Sequence, residues 1–361
     1  MNLEIIREHC LSLRGTTEDQ AFGPDHILFR IGQKIFCCID LNRPQLVTVK
    51  CDPDLAIELR DRFQGIKGAF HWNKRHWNDI HFETDVDDHT ILSLINKSYE
   101  LIVRSFPKKS LYYIPELPSD WYHEHHPTCS SAMSIARNLK NTIPSYSLIT
   151  TDFQTAGRGQ GNNSWESASA CNLLFALRLS PTFLLAQKQF LLSQVVAVSI
   201  ARALQHYLGQ RVNIKWPNDI YINEHKICGI LIEHTLFGPT IKDSIIGVGI
   251  NVNQAYFESD APNPISIRQI LGKEIDRAAL LRHFLKHFTH VYSLLQQEQT
   301  EKVQKDYWKL LYRKKGYFPY TDSKGLFEAC IHDILPNGCI VLKDTQGLLR
   351  TYAHKEVAYV L

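Results

Sequence analysis

The sequence predicts an α+β protein built from three successive units, and three observations carry that reading. Through residue 109, helical apolar spacing alternates with short apolar-rich strands; from 110 to 315, apolar strands accompany one long apolar helix; from 316 to 361, short strands are cut by turn residues. At roughly 150 residues per domain, the chain length suits two or three such units.

In the first unit, Leu3, Ile6, Cys10 and Leu13 fall at helical spacing, with Gly15 as a stop. HILFRIG and KIFCCIDL read as strands joined at Gly32-Gln33, a two-residue hairpin signal, and QLVTVK reads as a third. Asp52 is placed to cap a helix with Pro53 at its first position and Leu55, Leu59 and Phe63 on one face. After HWNKRHWNDIHFE, either Asp87 or Asp88 opens a last helix carrying Ile91, Leu94, Ile95, Tyr99 and Ile102, and Pro107-Lys108-Lys109 closes the unit. This order predicts an antiparallel sheet covered on one side.

LYYIPELPSD then reads as a linker. Either Ser130 or Ser131 caps a short helix (AMSIARNLK), YSLITT and NLLFALRLS are buried strands, and Ser180-Pro181 opens a long helix running to Gly209. VNIK, IYIN, KICGILIEHT and SIIGVGINV are strands of a second sheet, and 278–295 and 303–311 are helical. From Gly316, turns at Asp322-Ser323, Pro336-Asn337-Gly338 and Gln346-Gly347 predict a small β-barrel.

Composition narrows the function. Hydrophobic residues are 44% and charged residues 21%, the balance of a globular protein rather than a disordered tail or a fibre. A net charge of +3 is too weak a field to draw the whole chain to a polyanion. MNLEIIREHCLSLRG lacks the pattern of a secretory leader, and no apolar run approaches the ~20 residues that cross a bilayer. The expectation is a cytoplasmic protein with no membrane partner. Nine scattered cysteines with no CxxC pair predict reduced, mostly buried thiols.

Three segments carry chemistry. In TTDFQTAGRGQGNNSW, Gly157, Gly159 and Gly161 let backbone N–H groups approach an anion, and Arg158 adds a fixed positive fork. The GxGxG spacing is not a dinucleotide fingerprint, and a flexible connection between strands accounts for the segment equally well. In IKWPNDIY, Lys215 and Asp219 bracket Pro217-Asn218, which presents a cation and a carboxylate at one hairpin end; a plain turn is the simpler reading. Lys226 enters the apolar strand KICGILIE beside Gly229 and calls for an anionic partner. In GVGINVN two glycines open a strand to close approach, and Asn251 and Asn253 share one face. Together these segments suit a site for two anions and a metal ion.

QTAGRGQGNNSW, KWPND, KICGILIE and GVGINVN, in this order, resemble the catalytic domain of biotin protein ligase, which has a class II synthetase-like fold of mixed sheet and helices. The β-rich tail resembles that family's SH3-like C-terminal domain, so the likeness spans roughly 111–361. It implies that biotin and MgATP give biotinyl-5′-adenylate and pyrophosphate, and that the adenylate then acylates a lysine of a biotin carboxyl carrier protein or domain. It implies catalytic roles for Arg158, Lys215 and Lys226. Biotin contacts are implied for Ser131, Ala132, Met133, Gln154, the loop Gly157 to Gln160, Lys226 and Gly229. Nucleotide contacts are implied for Arg158, Gln160, Trp165, Lys215, Asn218 and Asn251, with Asp219 serving Mg²⁺. A lipoate ligase or octanoyl transferase, and a biotin- or nucleotide-binding regulator, are the alternatives.

The chain departs from the family pattern twice. Gln160, followed by Gly161-Asn162, stands where the family commonly has a second loop arginine, and Ser131-Ala132-Met133 stands where it often has Ser-Thr-Asn, leaving one expected hydroxyl absent.

CDPDLAIELRDRF, GIKGAFHWNKRHWNDIHF and SYELIVRSFPKK resemble the MmcQ/YjbR proteins, whose fold is a frataxin-like (CyaY-like) α/β sandwich, over residues 1–109. Those residues hold 15 Lys+Arg and 16 Asp+Glu, so nucleic acid is not the expected partner, although His71 to Trp77 interleaves bases with aromatics. Trp121 to His126 reads as strand entry rather than a metal cluster, and Cys228 as a small core residue.

Overall fold

The computed structural model describes residues 1–13, 15–106, 111, 114, 117–118, 120–139, 145–161, 163–259 and 263–360. The expected Pro107-Lys108-Lys109 turn, half of the 111–120 linker and Asn162 lie outside the described residues. The chain divides into two compact units, residues 1–115 with 122–125 and residues 116–121 with 126–361.

In the first unit α1 (Leu3–Ser12) is capped by Asn2, whose side chain accepts the Ile5 N–H. Then come β1 (Thr16–Asp19), β2 (His26–Ile31), β3 (Lys34–Asp40), β4 (Leu46–Lys50), α2 (Pro53–Arg62), β5 (Ile66–Gly68), β6 (Trp77–His81) and α3 (Asp88–Arg104). Asp52 and Asp87 cap α2 and α3, each accepting a first-turn N–H, and β2 meets β3 across Gly32-Gln33. The strands form an antiparallel sheet in the order β1-β2-β3-β4-β6-β5. The two outermost, β1 and β5, were not legible: one is the polar run TTED and the other only three residues long, and their partners decide them. α3 packs on β3 and β4, and Ile6, Phe29, Phe36, Val47, Ile91 and Ile95 close the core between sheet and helices.

After β7 (Tyr122–His126), the second unit's elements are α4 (Ala132–Asn138), β8 (Ser147–Thr151), β9 (Leu173–Leu179), α5 (Phe190–Leu208), β10 (Val212–Lys215), β11 (Asp219–Ile222), β12 (His225–Phe237), β13 (Thr240–Ile250), α6 (Ile267–Leu271), α7 (Arg277–Gln296) and α8 (Thr300–Leu310). The expected metal-or-strand segment is thus the strand β7. Strands β8 to β13 make an antiparallel sheet in the order β10-β11-β12-β13-β9-β8, so the four strands read as a sheet of their own continue into the two buried ones. Most residues of α5 are buried, because α7 and α8 pack against it as well as β10.

One expected helix start and one expected capping bond are corrected. The long helix begins at Phe190 rather than at Ser180-Pro181. Ser180 Oγ donates to Asp243 Oδ1 (2.8 Å), and the backbone of Leu184 and Ala186 bonds to Ile241 and Pro239, so 181–189 is pinned to the β12–β13 hairpin and forms only a single 3-10 turn (Ala186–Lys188) ahead of the α-helix. Ser131 precedes α4 as expected, but its side chain makes no capping bond; the Ala132 N–H donates to Gln154 Oε1 (2.9 Å) instead.

The C-terminal stretch forms β14 (Phe318–Asp322), β15 (Gly325–Ile334), β16 (Ile340–Asp344), β17 (Leu349–Tyr352) and β18 (Val357–Tyr359), an antiparallel sheet in the order β17-β16-β15-β14-β18. The three expected turn signals each separate neighbouring strands. No described helix is long and apolar enough to cross a membrane.

Candidate functional site

The site begins with a closely paired hairpin. Lys215 ends β10, Asp219 starts β11, and the two are register partners across Trp216-Pro217-Asn218. An irregularity between Ile220 and Tyr221 shifts β11 against β12, so Tyr221 faces Lys226 and Asp219 faces Gly229. Lys226 Nζ thereby lies 2.7 Å from Asp219 Oδ1, which supplies the anionic partner its apolar strand calls for. Lys215 has no such partner: its Nζ lies over the rings of Tyr221 and Tyr359 (4.8 and 4.9 Å) and donates to the Tyr221 hydroxyl (3.3 Å). Burial lowers its pKa from the usual lysine value, and Lys226 and Arg313 add to the effect against the pull of Asp219.

The glycine segment is an ordered hairpin rather than a loose connection. The Gly159 N–H donates to Asn163 O (2.7 Å), the Trp165 N–H donates to Gly157 O (3.0 Å), and Arg158 bridges Ser164. Gly161 turns the chain with φ +67°, a left-handed conformation that favours glycine. This fold lays the Trp165 indole flat on β12 and β13: a Cβ at Gly229 would stand 2.8 Å from Trp165 Cζ3. At Gly247 a Cβ would meet Met133 Sδ at 2.4 Å. The glycines of GVGIN do admit close approach, and what approaches is Met133 and Trp165 of the same chain.

Around these residues lies a cavity of about 890 Å³. Ser131, Met133, Gln154, Arg158, Gly159, Gln160, Trp165, Lys215, Asn218, Asp219, Lys226, Gly229 and Asn251 all line it. Gly157 and Ala132 are not on its wall; they stand behind it, bonded to Trp165 and Gln154. Asn218 lines the wall while its side-chain amide donates to the Ile230 carbonyl. Asn251 Oδ1 and Trp165 Nε1 are buried without a hydrogen-bond partner, an arrangement costly in an empty site and useful to a ligand that supplies the complement. Cys228 is a fully buried strand residue whose thiol is pushed well up by burial, which suits the core and not a nucleophile.

Several wall residues were not legible in the sequence. His354 and Lys355 come from the turn between β17 and β18 and Tyr359 from β18, and a Cβ on Gly161 would meet Lys355 Nζ at 2.8 Å. No sequence signal ties a surface-type lysine to a loop so far before it. Among the described residues Arg158, Lys215 and Lys355 make no ion pair, so the cavity presents three uncompensated cations beside the Lys226–Asp219 pair. Glu166 is a further missed residue. Its carboxylate accepts from Gln254 Nε2 and from the backbone N–H groups of Glu258 and Ser259, each at 2.9 Å, tying the glycine hairpin to the strap that carries Phe257 over the cavity. Burial raises its pKa, but these bonds outweigh that and hold it below the usual glutamate value.

The YjbR family model matches residues 11–101, and that of the Biotin/lipoate A/B protein ligase family matches residues 129–251. The bifunctional ligase/repressor BirA of Bacillus subtilis is 36% identical over 174 residues, 46% of this chain and 53% of that protein. A biotin--[acetyl-CoA-carboxylase] ligase of Paracoccus denitrificans is 35% identical over 130 residues, 34% of this chain and 53% of its own. The chain therefore spans about half the length of these curated relatives. The solved biotin protein ligase from Aquifex aeolicus in complex with biotin and ATP superposes with a TM-score of 0.54 over 65% of this chain and 97% of that one; at 22% identity this establishes the fold.

Proposed function

We propose that this chain, which joins a YjbR segment to a biotin/lipoate A/B protein ligase segment, is an ATP-dependent biotin protein ligase. It forms biotinyl-5′-AMP from biotin and MgATP and transfers biotin to a lysine of a biotin carboxyl carrier domain. The observation that carries the reading is the convergence of Arg158, Lys215, Lys226 and Lys355 on one cavity. A carboxylate attacking an α-phosphate meets like-charge repulsion, and pyrophosphate departs with still more charge; fixed cations in a half-buried site offset both.

In the first step a biotin carboxylate oxygen bonds to the α-phosphorus as the bond to the pyrophosphate oxygen breaks. In the second, a carrier lysine amine attacks the acyl carbon, AMP leaves with the electron pair, and the amine's proton is released. Lys226 meets the biotin carboxyl group, Arg158 and Lys215 the phosphates, and Lys355 the far end of the triphosphate. Ser131, Gln154 and Met133 surround the biotin rings, while Asn251 and Trp165 offer their unpartnered polar atoms to the nucleotide. Magnesium arrives with the triphosphate as part of the substrate. Among the described residues, Glu166 and Asp219 are the carboxylates on the wall; Glu166 is occupied by its three donors, so Asp219, drawn from its pair with Lys226, would serve that cation.

We infer further that the five C-terminal strands form the SH3-like barrel, that the first unit is the frataxin-like sandwich, and that the protein works in the cytoplasm. The deciding experiment is exchange of labelled pyrophosphate into ATP by the full chain. Biotin-dependent exchange is expected; exchange with lipoate instead makes the chain a lipoate ligase, and exchange with neither makes it a binding protein.

A further inference from the structure

The first unit holds a second cavity, of about 380 Å³, between α2 and α3. Its floor is Val49 and Ile80 of the sheet, and its walls are Leu55 and Leu59 of α2 and Leu94 and Leu101 of α3. The size is at the small end of ligand pockets, and apolar surface left open in this way is stabilised by an apolar occupant. The polar group on the floor, the Asn78 amide, is already satisfied: its oxygen accepts from Arg60 Nε (2.8 Å) and its nitrogen donates to Ala56 O (3.4 Å). The interior therefore asks for a hydrocarbon body rather than for a sugar or a base.

The mouth has the opposite character. Lys50, Lys97 and Arg104 stand around it with Asp52 and Glu100. Arg104 is paired with Glu100 (2.9 Å), and Asp52 is engaged as the cap of α2. Among the described residues Lys50 and Lys97 have no carboxylate partner, so one end of an apolar groove carries uncompensated positive charge. We propose that this groove binds an amphipathic monocarboxylate, with its chain or ring between the leucines of α2 and α3 and its carboxylate at Lys50 and Lys97. A dianion is disfavoured by Glu100 at the same rim. The inference is independent of the reading of the central cavity.

The test titrates the full-length protein calorimetrically with octanoate, 1-octanol and acetate, comparing the wild type with Lys97→Glu and Leu101→Trp. Lys97 is exposed, so its replacement leaves the fold intact; the indole at position 101 fills the groove. Octanoate is expected to bind the wild type, about tenfold more weakly to Lys97→Glu, and with that binding lost in Leu101→Trp, while octanol binds about tenfold more weakly than octanoate and acetate not at all. Octanoate affinity unchanged in Lys97→Glu, octanol binding as tightly as octanoate, or no octanoate binding at millimolar concentration overturns the proposal.

Discussion

A β-carbon added at Gly249 would stand 2.4 Å from Trp165 Cε2, so the indole occupies space that only a glycine leaves open. In Gly249→Ala the ring is expelled from β13 while the strand pairing, made by backbone, is kept. Overpacking of this kind costs about 1–3 kcal/mol. Biotin-dependent pyrophosphate exchange is expected to fall about tenfold or more, with the melting temperature lowered by roughly 2–10 °C; a variant as active as the parent removes Trp165 from the site.

Gln160 stands on the cavity wall with a neutral amide where a second loop arginine is the family habit. A charge-assisted bond to a phosphate is worth roughly 1.5–3 kcal/mol, less where solvent reaches it. Gln160→Arg is expected to release the acyl-adenylate about tenfold more slowly than the wild type in a single-turnover chase. Wild-type release equal to or slower than that of the variant contradicts the assignment.

Lys215 holds a charge where burial opposes it. Because its folded pKa lies below the ordinary 10.5, the folded state gives up the proton first as pH rises. Stability therefore increases across the window between the folded value and 10.5, and at neutral pH the cost of burial is present in full. Lys215→Met is expected to melt a few degrees higher at neutral pH, to flatten that alkaline rise, and to lose at least about a hundredfold in exchange rate. Loss of stability together with activity shows instead a structural lysine.

Glu166 binds the strap 254–259 through its ionised form. Its folded pKa lies below the ordinary 4.5, so the stabilisation is present above that value and is lost as pH falls through the folded one. Glu166→Gln turns one acceptor oxygen into a donor facing backbone N–H groups. The expected outcome is a KM for ATP raised about tenfold with a smaller change in kcat, and a shallower loss of stability in acid. Equal effects on both kinetic constants, with the acid limb unaltered, set the latch aside.

Much of this protein follows from local rules. Asp52-Pro53 caps α2 because an ionised side chain accepts a first-turn N–H and proline brings helical φ; Gly32-Gln33 joins β2 to β3; GxGxG folds as a tight hairpin. Arg158, Lys215 and Lys226 were identifiable because an arginine among glycines, a cation at a hairpin end and an amine within an apolar strand are locally unusual. By contrast, β1 and β5 lacked a pattern of their own, and the start of α5 was misplaced because a contact from Asp243 outweighs the Ser-Pro signal.

What sequence alone determined, then, are the elements and the residue types held ready within them, since propensity, capping and periodicity act over a few neighbours. Tertiary structure decided which partners those residues meet: Asp219 for Lys226, tyrosine rings for Lys215, Trp165 and Met133 against the glycines of β12 and β13, Glu166 across to the strap, and Lys355 beside Gly161. Each of these joins positions brought together by sheet pairing and apolar burial, forces that depend on the whole packed unit and leave no trace in the spacing of adjacent residues.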